Sequence, residues 1–403
     1  MRVLVADKLP SAIVERLGGL GIEVQIDASL KGDALEERLD AWNPSVLVVR
    51  STRVESRHIE AASGLSLVVR AGAGVNTIDL DASSEGGVFV ANCPGKNAVA
   101  VAELALGLIL SLDRRIPDNV IDLRAGIWNK GLYTKGTGLA GRTLGILGTG
   151  KIGLELATRA RAFGMDIVAW SRSLTEERAQ RLGIRRFESA QEVGANCDIL
   201  SVHVALTPQT RGLVDDSVLS GLPDDGVVIN TARAEVLDHD ALLTALSRGV
   251  RAGLDVFPEE PSSKKGPFDS AIAKHPNVYG THHIGASTTQ AQNAVAAEVC
   301  RIIEGFHQTG TVDNCVNVRR QSSADHVLVV RHRDKVGVLA GVLDTLRRAD
   351  INVQEMENTI FAGAKAASAR IQVAGAVDER LIEALCIDRH VLNVSAVPLL
   401  EST

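Results

Sequence analysis

The stretch L-G-I-L-G-T-G-K-I-G at residues 144–153 leaves the chain few structural alternatives. An apolar run leads into Gly148, Gly150 and Gly153, spaced G-x-G-x-x-G, and a helical pattern follows. Each glycine answers a separate need. The first permits a tight turn, the second lets backbone approach a pyrophosphate, and the third lets the helix pack closely on the strand, with phosphates at the helix N-terminus. The spacing predicts a strand, a turn through Gly148, Thr149, Gly150, Lys151, Ile152 and Gly153, and a helix that together hold a dinucleotide.

Such a motif calls for an acid about 20 residues on, at the end of the second strand, to hold the ribose diol. That strand reads M-D-I-V-A-W-S-R-S, and the expected position holds Ser171, followed by Arg172. Asp166 stands at the strand's start, too far away. A small hydroxyl beside an arginine accommodates a 2′-phosphate, as in NADP. Alternatively, Ser171 binds the diol and Arg172 stacks on the adenine. An earlier Gly-x-Gly, in R-A-G-A-G-V-N at 70–76, lacks the third glycine. It reads as a turn bringing backbone N–H groups to an anionic substrate, or as a plain tight turn.

Apolar runs at 3–6, 46–49 and 67–69 alternate with helical spacing, and the pattern resumes at 143–147, 166–170, 199–202, 227–230 and 251–254. This is the signature of β-α-β units around parallel sheets. Aromatics make up only 3% of the 403 residues, so the cores must be built from Val, Leu, Ile and Ala, as doubly covered sheets are. A buried helix is expected at 98–112. A long helix is expected at 286–308, with Ala291, Val295, Val299, Ile302 and Phe306 on one stripe. After a polar linker at 319–324 the order becomes β-α-β-β-α-β, which is ferredoxin-like. The expected domains are 1–97 with 285–318, 98–284, and 325–403. The fold class is α/β, with two doubly wound, Rossmann-type parallel sheets plus a ferredoxin-like α+β domain.

A net charge of −6 without a basic run argues against nucleic acid as partner. Five scattered cysteines without a C-x-x-C pair argue against a disulfide framework or a metal site and suit a reducing compartment. The most apolar stretch is too short to span a bilayer. The expectation is a cytoplasmic protein with no membrane partner.

Oxidising an alcohol beside a dinucleotide needs a base, a cation that grips the substrate, and a carboxylate that tunes the base. All three occur past consecutive strands: Arg233 in N-T-A-R, Asp255 and Glu260 in L-D-V-F-P-E-E-P, and His283 in H-H-I-G-A-S-T. Taken singly, each has an ordinary surface or structural explanation.

Together, N-T-A-R-A-E-V-L-D, D-V-F-P-E-E-P and H-I-G-A-S-T, in this order after G-T-G-K-I-G, resemble the D-isomer-specific 2-hydroxyacid dehydrogenase family over about residues 1–318. The resemblance implies that Arg233 binds the substrate carboxylate and carbonyl, that Glu260 pairs with His283, and that His283 is the acid/base. It implies NAD as cofactor, contacted by the glycine turn, Ser171, Arg172, His203, Val204, Thr207, Thr231, Ala232, Arg233, Asp255, His283 and Gly285, with Asp255 on the nicotinamide side. Three positions depart from the family pattern. His282 replaces the usual Pro, Ala234-Glu235 replaces Gly-Gly, and Ser171 replaces the diol-binding Asp, which keeps NADP open.

V-V-R-S-T at 48–52 and the 70–76 turn resemble the members of this family that act on phosphoglycerate. The implied substrate contacts are Arg50, Ser51, Ala71, Gly72, Gly74, Val75 and Asn97, together with Arg233 and His283. H-R-D-K-V-G-V-L-A at 332–340, followed by A-D-I-N-V, resembles an ACT regulatory module. That likeness implies an amino-acid effector such as serine at His332, Asp334 and Asn352, although Asp334 stands where Asn is usual. The expected reaction is oxidation of 3-phospho-D-glycerate to 3-phosphohydroxypyruvate, which opens serine synthesis, by a homodimer or homotetramer. The alternatives are an NADPH-dependent hydroxypyruvate or glyoxylate reductase and a non-enzymatic dinucleotide sensor.

Overall fold

The computed structural model describes residues 1–261, 265–319 and 322–399. Part of the expected linker at 319–324 and the end of the 325–403 segment lie outside the described residues. Residues 1–317 form one compact unit and 318–403 a second.

The first unit holds two parallel sheets. One contains β1 (Arg2–Val5), β2 (Glu23–Ile26), β3 (Val46–Val49), β4 (Leu67–Arg70) and β5 (Phe89–Asn92), in the spatial order 2-1-3-4-5. The other contains β6 (Thr143–Leu147), β7 (Asp166–Trp170), β8 (Arg185–Arg186), β9 (Ile199–Val202), β10 (Val227–Asn230), β11 (Arg251–Leu254) and β12 (Val278–Gly280), in the order 12-11-10-9-6-7-8. Every residue of β3, β9 and β10 is buried, because helices cover both faces. Each sheet reverses its winding at one point, between β1 and β3 in the first and between β6 and β9 in the second. Ligands of open α/β sheets bind at such points, beyond the strands' carboxyl ends.

Two helices carry the chain between the sheets. Ala98–Arg114 lays Leu106, Leu108, Ile109 and Leu112 in the core containing Leu144 and Ile146 of the second sheet. Thr289–Thr309 returns and packs Val295, Val299, Ile302 and Ile303 on Val3, Val5, Val46, Val48, Leu67 and Val69 of the first. Glu298 of the returning helix is only 6% exposed. Its carboxylate accepts hydrogen bonds from Arg301 (2.7 Å) and Asn314 (2.8 Å) and pairs with Lys96 (3.0 Å) on the outgoing crossover. Arg301, against the opposing effect of burial and with help from Lys96, holds the Glu298 pKa down to about 2.

A folded-state pKa below the unfolded value gives stability that is present in full above the unfolded pKa and is lost as pH falls through the folded one. Glu298→Gln is therefore expected to cost about 2 kcal/mol at neutral pH, since two of its three partners are partly exposed. The melting-temperature gap from wild type should narrow between pH about 4.5 and about 2. A gap independent of pH over that range would show that the cluster does not work through charge.

The second unit has β13 (His326–Arg333), β14 (Asn352–Ile360), β15 (Ala366–Ala374) and β16 (Val391–Pro398) in the antiparallel order 14-15-13-16. Helices Val338–Arg348 and Glu379–Leu385 cover one face over Leu328, Val330, Ala369, Ile371 and Val373. This is the ferredoxin-like arrangement. Among the described residues no helix is long and apolar enough to cross a membrane.

Candidate active site

The glycine turn leaves β6 at the second sheet's reversal point. Gly148 has φ +102°, and a Cβ there would lie 2.8–2.9 Å from the backbone of His203 and Val204, just past β9. A Cβ on Gly153 would lie 2.1 Å from the Gly148 carbonyl oxygen, so helix Lys151–Ala162 packs tightly against the turn. A Cβ on Gly150, by contrast, would meet nothing within 4 Å. The turn is thus closed on the protein side and open on the side where a pyrophosphate would lie. Around it, Thr149 Oγ1, His203 Nδ1 and Thr231 Oγ1 are buried without hydrogen-bond partners. Orphaned buried polar atoms are costly. Three of them at the ends of β6, β9 and β10 fit a polar ligand that completes them. Burial pushes the His203 pKa down to about 4, so its ring is neutral at pH 7, with Nε2 2.8 Å from Ser201 Oγ.

The expected acid/base pair, His283 and Glu260, sits beyond β11 and β12. His283 Nδ1 lies 2.8 Å from Glu260 Oε2, and Glu260 Oε1 accepts the Phe257 N–H at 2.9 Å. The carboxylate is therefore aimed, and Nδ1 is committed to it, which leaves Nε2 free of it. His283 has φ +51°, a left-handed conformation uncommon for a side chain of this size. Asp255 holds it there. Only 1% exposed, Asp255 accepts hydrogen bonds from Thr281 Oγ1 (2.6 Å), Ile284 N (2.8 Å) and Gly285 N (2.8 Å), which clamp the loop on both sides of His283. Neighbouring His282 is exposed and has no hydrogen-bond or ion-pair partner among the described residues.

The first sheet contributes cations. Asp7, just past β1, accepts the N–H groups of Arg50 (2.7 Å), Ser51 (2.9 Å) and Thr52 (2.9 Å) past β3. Burial alone would raise the Asp7 pKa, but these donors overcome it and hold the group below the usual carboxylate range. The turn after β4 is pressed against two guanidinium groups. A Cβ on Gly72 would lie 1.6 Å from Arg70 Nη1, and one on Gly74 would lie 3.1 Å from Arg233 Nη2. Burial, then the positive charges of Arg233 and Arg50, lower the Arg70 pKa, and its Nε is an orphaned buried donor. Arg50, Arg70 and Arg233 thus cluster without a carboxylate ion pair among the described residues, although the charge of nearby Asp7 partly offsets theirs at Arg70.

Residues 106–285 match the family model described as the NAD-binding domain of D-isomer specific 2-hydroxyacid dehydrogenases. A crystal structure of a Thermus thermophilus protein superimposes with a TM-score of 0.70 at 31% identity, over 78% of this chain and 100% of that one. The chain belongs to the D-isomer specific 2-hydroxyacid dehydrogenase family. It is 36% identical over 321 residues to a D-3-phosphoglycerate dehydrogenase of Methanocaldococcus jannaschii, covering 79% of this chain and 60% of that relative. It also resembles the NAD+-bound 3-phosphoglycerate dehydrogenase of Entamoeba histolytica, with a TM-score of 0.65 at 27% identity, over 79% of this chain and 99% of that one. The chain spans about 60% of the length of the curated relatives it matches.

Some of the expected contacts are drawn differently. Lys151 turns its ammonium to the Pro94 carbonyl (3.1 Å). Thr207 spends its N–H and hydroxyl on Thr210, and Ser51 spends its hydroxyl on Asp7 at 2.9 Å. Asp255 accepts hydrogen bonds from the histidine loop with both carboxylate oxygens. Asn97 keeps a half-buried side chain free at the start of helix Ala98–Arg114. Val204, Ala232 and Gly285 occupy the loops beyond β9, β10 and β12.

The expected effector trio is not one site within a chain. His332 is buried, with its ring between Arg333 O (2.8 Å) and Asn358 Oδ1 (3.2 Å), and Asp334 follows at that end of the sheet. Asn352 pairs with Ala374, whereas His332 pairs with Ala367, so antiparallel pairing sends Asn352 to the opposite end. Arg70 and Asp7 escaped the sequence reading. Arg70 heads R-A-G-A-G-V-N and ends an apolar strand, as Arg50 follows one, and that parallel was the available signal.

Proposed function

We propose that this chain oxidises 3-phospho-D-glycerate to 3-phosphohydroxypyruvate. The observation that carries this reading is the cluster of Arg50, Arg70 and Arg233 around the 72–74 turn. A lone carboxylate needs one bidentate arginine. Three guanidinium groups against the single charge of Asp7, which is already hydrogen-bonded to the backbone of residues 50–52, suit a substrate with a carboxylate at one end and a phosphate at the other. Arg233 grips the carboxylate and polarises the reacting oxygen, while Arg50 and Arg70, with the backbone of 71–75 and Asn97, hold the far anion. His283 takes the hydroxyl proton at Nε2, and Glu260 stabilises the imidazolium that forms. The nicotinamide, when bound at the glycine turn, supplies the hydride acceptor. The named activities of the Methanocaldococcus jannaschii and Entamoeba histolytica proteins support the same substrate.

Initial rates on phosphoglycerate, phosphohydroxypyruvate, hydroxypyruvate and glyoxylate, each with both nicotinamide cofactors, test the reading. The phosphorylated pair should exceed the others in kcat/KM by about 100-fold, the worth of one or two charged hydrogen bonds. Arg70→Ala should erase most of that margin. Faster turnover of glyoxylate or hydroxypyruvate by the wild type would replace the reading with the second one, an NADPH-dependent reductase of those acids. The missing acid after β7 favours that alternative.

The ferredoxin-like topology of the second unit supports an ACT-like module. An amino-acid effector there would have to use Asn352 of one chain with His332 and Asp334 of another, which ties regulation to a homo-oligomer. Ile121, Leu123 and Trp128, the last 80% exposed, add apolar surface suited to burial against a second copy.

A further inference from the structure

A carboxylate stands at the end of the first sheet where an anionic substrate is expected. Asp7 follows β1, and β1 and β3 flank the point at which this sheet reverses its winding. Open α/β sheets bind ligands beyond the carboxyl ends of their strands at such a point. A negative charge there repels an anionic ligand unless it is otherwise engaged.

Asp7 is engaged on both oxygens. It is 8% exposed. Its Oδ2 accepts the N–H groups of three consecutive residues, Arg50 (2.7 Å), Ser51 (2.9 Å) and Thr52 (2.9 Å), and its Oδ1 accepts the Ser51 hydroxyl (2.9 Å). These donors match the roughly four acceptor positions of a carboxylate. Successive N–H groups turned to one point form a nest, a concavity that binds an anion. The chain fills this nest with its own side chain, so a substrate anion is left to the guanidinium groups.

What the nest fixes is the base of the Arg50 side chain. The pairing of β3 with β4 ends with Val49 opposite Arg70. Past that pair, the N–H groups of residues 50–52 turn to Asp7 instead of a strand. Buried Thr52 closes the loop by donating its hydroxyl to the Ala6 carbonyl at 3.1 Å. A long, flexible side chain grips an anion with a smaller loss of freedom when its backbone is already held. The effect of Asp7 on Arg70 is weaker. Among the influences on that group its charge comes last, after burial and the charges of Arg233 and Arg50. Arg50 is therefore the route by which Asp7 reaches the substrate.

We propose that Asp7 is a positioning residue for the substrate's far anion, which fills the nest of residues 50–52 and acts on the reaction through Arg50. This deepens the phosphoglycerate reading and rests on its assignment of Arg50.

The test is a double-mutant cycle on the full chain. Steady-state rates are measured with phosphohydroxypyruvate and hydroxypyruvate, at saturating reduced nicotinamide cofactor, for wild type, Asp7→Asn, Arg50→Ala and the double variant. Asparagine keeps the shape and one acceptor oxygen but removes the charge. Asp7→Asn should raise KM for phosphohydroxypyruvate about tenfold, the difference between a charged and a neutral acceptor. Its kcat, and KM for hydroxypyruvate, should stay within about threefold of wild type. In the Arg50→Ala background the same substitution should add less than about threefold, because two residues that act as one unit are not additive. Equal losses in both backgrounds would overturn the proposal, as would an unmoved KM in the single variant. An Asp7→Asn chain that fails to fold would also overturn it, by making Asp7 part of the scaffold of the sheet. A wild type without preference for the phosphorylated acid would remove the phosphoglycerate reading instead. The cycle is then read on the 2-oxo acid turned over fastest, where additive losses or an unmoved KM overturn the role of Asp7.

Discussion

His283→Ala lowers kcat by about 10²–10⁴-fold, the usual contribution of a positioned general base, while dinucleotide binding measured by fluorescence stays in place. The expectation is specific to this histidine although two stand side by side. His283 has its Nδ1 on Glu260 and its backbone held at φ +51° by a loop clamped on Asp255. His282 has none of these supports, so His282→Ala should keep kcat within a few-fold. The two variants together make the comparison decisive. A slow His282→Ala enzyme beside a fast His283→Ala one would exchange the assignments. The positive φ adds a second readout. A substitution that relaxes the loop, such as Asp255→Ala, should reduce kcat although the histidine is still present, because the base would no longer be aimed.

Arg233→Lys is expected to reduce kcat/KM by at least about 100-fold despite keeping the charge. Arg233 Nη1 donates to the Ala232 carbonyl at 2.6 Å, and its Nη2 faces the turn at Gly74. One edge of the fork is thus anchored and the other is presented to the cleft. Lysine has no second donor to share between anchor and substrate. The loss should appear with every 2-hydroxy acid tested, because every such substrate has the carboxylate. Arg70→Ala, by contrast, should penalise only substrates with a second anion. A lysine variant within threefold of wild type would show that charge alone suffices at this position.

The strands of the second sheet were the most legible part of the chain. Thr143–Leu147, Asp166–Trp170, Ile199–Val202, Val227–Asn230 and Arg251–Leu254 fall where the apolar runs stand, since a strand covered on both faces must be apolar throughout. The βαββαβ order of the second unit was equally plain, because its helices and strands differ in period. Less legible were the edges. β2 is E-V-Q-I and β8 is only Arg185–Arg186, and neither is an apolar run. In the site, the residue types announced acid, base and cation, but not what each would touch. The clamp that Asp255 forms on the histidine loop was not legible, because its three donors come from a loop about 30 residues away. Arg70 passed unremarked because its significance lies in two other arginines brought up by different strands. Sequence pattern records a residue's face and period. It does not record which distant charges end beside it.

The core on one face of the first sheet is built from two pieces of chain, and this sets an order for its assembly during synthesis. Val3, Val5, Val46, Val48, Leu67 and Val69 present an apolar face that helix Ala12–Gly18 covers in part, through Ile13 and Leu17, and that helix Thr289–Thr309 completes. That helix is translated some 200 residues after β5, or roughly 10–40 s later at typical ribosomal rates. Meanwhile the second sheet, continuous in sequence, can finish and close its own core. The lobe that begins first is thus completed last. In the interval its half-covered sheet face is the part of the nascent chain most exposed to misassociation, and the part a chaperone would have most reason to hold.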